Sequence, residues 1–180
     1  MKTWILGWVL LAAVTAGMAA AQQPPHQTQP QPLTTVILVR HAEKVVSDLE
    51  DPPLTAAGEE RARELAHALG ALTIDAVYST PFRRTLATAA PLQALGHEVV
   101  VTPVTPTYAA DVAGMARAEH AGGVVVVVSH SNTIPEIIRA LGVEEAPEIP
   151  ESDYDDLFVV TFSEGCAPRL LSLRYGRESP

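Results

Sequence analysis

Residues 124–128 are five consecutive valines, and no other stretch of this 180-residue chain narrows the possible folds so far. β-Branched side chains sit well on a pleated surface and crowd the preceding turn of a helix. A strand that is apolar at every position, and not merely at alternate ones, has to be covered on both faces. The run is therefore a central strand of a sheet that carries helices on both sides. Thr35 to Val39 repeats the pattern, Ala76-Val77-Tyr78-Ser79 is a shorter version, and His97 to Val101 reads as a third strand in chain order.

Helical signals alternate with these strands. Thr55 caps a segment in which Ala62, Leu65, Ala66 and Leu69 recur at i, i+3, i+4 and i+7, with Glu59 and Glu60 near its positive end and Gly70 as its stop. Further helices are predicted from about Arg83 to Leu95, with Pro91 as a point of kinking, from Ala109 to Glu119, and from Ile134 to Leu141. Leu157 to Phe162 and Arg169 to Tyr175 read as two last strands joined by a turn at Gly165-Cys166-Ala167-Pro168. This order predicts an α/β fold, a three-layer α/β/α sandwich on a mostly parallel sheet, with antiparallel strands near the C-terminus. No internal repeat is visible.

The start of the chain has a different character. Lys2 precedes an uncharged apolar stretch from Trp4 to Ala21, and Ala19-Ala20-Ala21 supplies small residues of the kind found at a cleavage site. Those three parts predict a signal peptide over residues 1–21, cleaved before Gln22, and an exported protein, periplasmic or secreted. The alternative is an uncleaved membrane anchor, since the stretch is close to a membrane-spanning length. Residues 22–33, with five glutamines and four prolines, read as a disordered or polyproline-like leader, and the folded domain runs over residues 34–180.

Charge and cysteine usage exclude several classes. Without residues 1–21 the chain keeps 11 basic residues against 21 acidic ones, a net charge of −10. Such a balance speaks against a nucleic-acid partner, whose phosphates demand basic stripes, and offers no polybasic face to a membrane after cleavage. Cys166 is the only cysteine, so no intramolecular disulfide and no thiolate metal site is expected. Nothing in the pattern specifies an oligomeric state.

Three strands end in polar tips: Arg40-His41 after the first, Ser79 to Arg84 after the second, and Ser129-His130-Ser131-Asn132 after the valine run. Parallel strands bring their C-terminal ends to one sheet edge, where ligands of open α/β proteins bind. The helix following His130 also turns its N-terminal amides to that edge. Two arginines, two histidines and a helix N-terminus describe a pocket for a dianionic phosphoryl group.

The same residues resemble a known family. Arg40-His41-Ala42-Glu43 is similar to the Arg-His-Gly-Glu motif of the histidine phosphatase superfamily, which includes the cofactor-dependent phosphoglycerate mutases. Leu54-Thr55-Ala56-Ala57-Gly58 with Arg61-Ala62, then Tyr78 to Ala89, then Ser129 to Thr133 resemble its later segments, in the family's order. The resemblance implies that His41 attacks phosphorus to give a phosphohistidine, with Arg40 and Arg84 holding the equatorial oxygens. It further implies that His130 donates to those oxygens as charge builds, with Asn132 adding a donor. No metal and no cofactor is expected; the partners are a small phosphorylated substrate and inorganic phosphate as product.

In the family the general acid is commonly a carboxylic acid between the second arginine and the second histidine. Glu98, Asp111 and Glu119 occupy that interval, and Asp111, near a helix start beyond the third strand's tip, is preferred. Its ordinary alternative is an acid stabilised by the helix dipole. Glu43 is a second candidate, though it is more simply a partner that orients Arg40. Arg83 and Lys44 are expected at the surface, and the seven acids between Glu144 and Asp156 in a solvated loop. If that loop borders the pocket, it should repel polyanionic substrates. The leading expectation is thus an exported phosphomonoesterase. The alternatives are a non-enzymatic phosphate-binding or regulatory protein of the same fold, or a hydrolase of pyrophosphate or phosphohistidine bonds. A mutase is disfavoured by the short stretch between Arg84 and His130.

Overall fold

The computed structural model describes residues 31–179, which form one compact unit. The expected signal peptide and nearly all of the leader lie outside the described residues. Among the described residues, no helix is long and apolar enough to cross a membrane.

Six strands and four helices follow in the order β1 (Thr34–Arg40), α1 (Ala56–Leu69), β2 (Ala76–Ser79), α2 (Arg83–Ala94), β3 (Val99–Val101), α3 (Tyr108–Ala118), β4 (Val124–Ser129), α4 (Thr133–Ala140), β5 (Asp156–Phe162) and β6 (Arg169–Arg174). The sheet order is β3-β2-β4-β1-β5-β6. β1 to β4 run parallel, β5 lies antiparallel beside β1, and β6 antiparallel beside β5.

The valine run behaves as its composition demands. Val125 and Val127 pack with Val36, Leu38, Tyr108 and Val112 toward α3 and α4, whose Ile134, Ile137 and Ile138 belong to the same core. Val126 and Val128 face the other way, onto Leu65 and Leu69 of α1 and Leu92 of α2. Two separate cores, one per sheet face, explain why the strand is apolar without alternation.

Local signals set the element ends. Thr55, extended at φ −78° and ψ 169°, accepts a hydrogen bond from the Gly58 amide at 3.0 Å and opens α1. Gly58 also lets α1 approach the first motif, because a Cβ there would collide with the backbone carbonyl of Glu43. α2 has no side-chain cap of its own; both oxygens of Asp51, from the preceding loop, accept from the Arg83 amide at 3.0 Å. The helix continues through Pro91. Cys166 is exposed in the turn between β5 and β6, as its Gly-Pro surroundings indicate.

Candidate active site

Strand register builds the site. Arg40 lies opposite Ser129 across β1 and β4, and Ser79 opposite Val128 across β2 and β4, so the three polar tips emerge side by side. A cleft of about 310 Å³ opens there. Arg40 and His41 line it from β1, Phe82 and Arg84 from the start of α2, and His130 to Thr133 from the β4–α4 junction. A larger groove of about 610 Å³ runs between α1 and α2 beside Ala66, Pro91 and Leu95. It gathers no comparable set of polar groups, so the smaller cleft is the candidate site.

His41 is 3 % exposed. Its Nδ1 lies 2.9 Å from the Ala42 carbonyl oxygen, an atom that can only accept, so Nδ1 carries the proton. Nε2 then keeps its lone pair. Burial, with Arg40, His130 and Arg84 nearby, lowers the imidazole pKa to about 3 against the weaker opposing pull of the Ala42 carbonyl. At neutral pH the ring is uncharged and its free nitrogen is a competent nucleophile. The backbone beneath it is tied down, since the Ala42 amide donates to Thr88 Oγ1 at 2.9 Å and that hydroxyl donates to the Arg84 carbonyl at 2.7 Å.

His130 stands with its ring centroid 5.5 Å from that of His41 and 5.2 Å from Phe82. Burial and then the charges of Arg84, Arg40 and Lys44 lower its pKa to about 4. Its Nε2 lies 3.1 Å from Thr80 Oγ1, which is itself 2.7 Å from Thr85 Oγ1. On the other side Thr133 Oγ1 accepts from the His130 amide at 3.1 Å and reaches Ser129 Oγ, which meets Tyr108 Oη. Buried hydroxyls therefore hold His130 and, through the Ala42 amide, the backbone beside His41, an arrangement that costs little reorganisation during a reaction.

The arginines are held differently. Arg40 is 1 % exposed; its Nη1 donates to the carbonyls of Pro150, Glu151 and Asp153 at 2.9–3.0 Å, and its guanidinium stacks 4.2 Å from the Tyr154 ring centroid. Arg84 lies over Phe82 at 4.3 Å and reaches Asp51 at 3.3 Å. The Nε groups of both arginines are buried without a partner. Unpaired buried donors are costly, and both belong to arginines that line the cleft.

Not every expected residue arrives at the cleft. Asn132 does, as the residue before α4, with its side chain free of any cap bond. Asp111 does not: it is exposed in the first turn of α3, accepts from Thr107 Oγ1 at 2.8 Å, and is absent from the cleft wall. The helix start that recommended it also explains it, because a first-turn carboxylate is stabilised by the helix dipole. Glu43 does not orient Arg40 either. It binds the buried Arg61 through both oxygens at 2.8–3.0 Å; burial pushes its pKa up, but the Arg61 hydrogen bonds, a backbone hydrogen bond and the charges of Arg61 and Arg177 together keep it below the ordinary value. Lys44, expected at the surface, is half-buried on the cleft wall.

Two contacts at the cleft were not singled out in the sequence, where Glu151 was only one of seven acids in a loop expected to repel polyanions if it bordered the pocket. Glu151 lines the cleft and pairs with Arg40 at 2.6 Å, and Tyr154 stacks on the same arginine. Both come from the loop before β5. Because β5 pairs antiparallel with β1, with Leu157 opposite Val39, its beginning lies at the end of β1. Among the described residues no group of three or more His, Cys, Asp or Glu side chains is arranged to hold a metal ion.

The cleft thus joins two buried histidines and two arginines at the strand tips of an α/β sheet. Residues 36–104 match the model of the histidine phosphatase superfamily (branch 1). Solved structures share the fold. A SixA protein of Nakamurella multipartitia, named a phosphohistidine phosphatase, superposes with a TM-score of 0.61 at 21% identity, over 83% of this chain and 100% of that one. A phosphoserine phosphatase of Entamoeba histolytica in complex with 3-phosphoglyceric acid gives 0.63 at 18% identity, over 80% and 98%. A mycobacterial glucosyl-3-phosphoglycerate phosphatase gives 0.60 at 16% identity, over 80% and 100%. No curated protein matches this chain.

Proposed function

We propose that this protein is an exported phosphatase that hydrolyses phosphomonoesters without a metal, through a phosphohistidine formed on His41. The observation that carries the proposal is the state of His41: buried, neutral, with Nδ1–H fixed on the Ala42 carbonyl and Nε2 unoccupied at the floor of a cationic cleft. Nε2 attacks phosphorus as the bond to the leaving oxygen breaks, and that oxygen departs with the electron pair and takes a proton. Water then attacks the phosphohistidine, the P–N bond breaks, and His41 and inorganic phosphate are released. Arg40, Arg84 and His130 supply donors to the equatorial oxygens during both displacements. Export rests on the apolar, alanine-ended stretch before Gln22.

One observation favours a second substrate class. Glu151 is the carboxylate on the cleft wall, and the Ser131 hydrogen bond together with Arg40 keeps its pKa below the ordinary value, so it holds no proton to donate at neutral pH. A leaving group that needs little protonation, as in a phosphohistidine or a pyrophosphate, suits such a site better than an alkoxide does.

Hydrolysis of p-nitrophenyl phosphate by the full chain in EDTA tests the proposal, with His41→Ala alongside. Turnover that survives EDTA and disappears in the variant is the expected result. Turnover that persists in His41→Ala, or that EDTA abolishes, refutes it. Comparing aryl and alkyl phosphates then separates the two substrate classes. A steep fall in rate with leaving-group basicity favours the second.

A further inference from the structure

We propose that Glu151 is the specificity-determining residue of the cleft: its carboxylate occupies donors that a phosphoryl group must use, and it selects substrates by the charge of their leaving group. The inference rests on the phosphoryl-binding reading of the cleft. One carboxylate oxygen sits 2.6 Å from Arg40 Nη2, and the other accepts from Ser131 Oγ. An incoming phosphoryl group presents oxygens to the same arginine, whose Nη1 is already filled by three carbonyls and whose Nε is unpartnered. Glu151 therefore stands in the place of a substrate oxygen on Nη2.

The residue is built to yield without leaving. Its side chain is 75 % exposed, so rotation toward solvent meets no packing. Its own carbonyl, however, accepts from Arg40 Nη1 at 2.9 Å, which tethers the backbone to the cleft floor. A displaced carboxylate stays at the rim, beside whatever departs from phosphorus. Leaving groups that carry a carboxylate or a second phosphate meet like charge there, while those carrying an ammonium group meet a partner.

The test begins with calorimetric titration of inorganic phosphate into the full chain and its Glu151→Gln and Glu151→Ala variants at pH 7. Both variants should bind phosphate about tenfold more tightly, the scale of one charge-assisted contact partly screened by solvent. Unchanged or weaker binding overturns the proposal, and weaker binding would mean that Glu151 holds Arg40 ready for the anion. A merely structural role cannot tighten binding. The second readout is the ratio of kcat/KM for O-phosphoethanolamine to that for 3-phosphoglycerate. The wild type should prefer the former and Glu151→Gln should lose that preference; an unaltered ratio overturns the proposal. If no variant turns over any ester, the phosphatase reading fails, while the phosphate titration still decides the role of Glu151.

Discussion

Acidification should leave the nucleophile untouched well below the pH at which an ordinary histidine charges. His41 is lowered from 6.5 to about 3 and His130 to about 4, burial being the largest cause for both. At pH 5 an imidazole with pKa 6.5 is about 97 % protonated, whereas one at 3 is about 1 % protonated. The reactive fraction of His41 at that pH is thus about thirtyfold larger than for an unperturbed ring. The energetic counterpart is a loss of stability in acid. Unfolding restores the ordinary pKa, so the unfolded chain binds more protons, and stability falls as pH drops from about 6.5 toward the folded values. For a fully buried ring this is about 2 kcal/mol at pH 5 per histidine, as an upper bound. Histidine-labelled NMR titration from pH 8 to 4.5 measures the first effect, and urea unfolding at pH 8 and pH 5 the second. His41 resonances that titrate near pH 6.5 would refute the account of the site, because at pH 5 the cleft would then hold an imidazolium and not a nucleophile. Saturating phosphate should raise both pKa values, since a dianion offsets the arginine charges that help depress them.

Two further outcomes bear on residues outside the reacting set. Glu43→Ala leaves the guanidinium of Arg61, its side chain 3 % exposed, with only the Tyr175 carbonyl at 3.2 Å. A loss of about 3 kcal/mol is expected, as for other broken buried pairs; denaturant midpoints check this, and a change within about 0.5 kcal/mol would show that water reaches the arginine. Asp111→Asn should alter kcat by less than about twofold. A general acid typically contributes about 10²–10⁴-fold, so a loss on that scale would return Asp111 to the chemistry.

The strands, the helices and the ownership of each tip were all legible from local pattern. Val124 to Val128 could serve only a strand covered on both faces, and Thr55 with Gly58 marked the start of α1. Arg40, His41, Arg84 and His130 each ended a strand or opened a helix, so parallel pairing alone was enough to gather them. Asp111 misled for a local reason as well: a carboxylate in a first helical turn is equally at home as a dipole partner. Glu43 misled because its partner, Arg61, lies on α1 and is selected by how α1 packs against the first motif.

Local sequence pattern thus determined the layers, the core faces and five of the residues at the cleft, Arg40, His41, Arg84, His130 and Asn132, since each depends on neighbours a few positions away. The other half of the site was decided by strand order. Placing β5 antiparallel beside β1 carries the loop of Pro150 to Tyr154 onto Arg40, over a separation of 110 residues or more. Likewise, the loop holding Asp51 reaches Arg84 only because α1 and α2 share a sheet face. No local pattern encodes such contacts: a surface acid and an acid that caps an arginine have the same neighbours in sequence, and only the packed sheet distinguishes them.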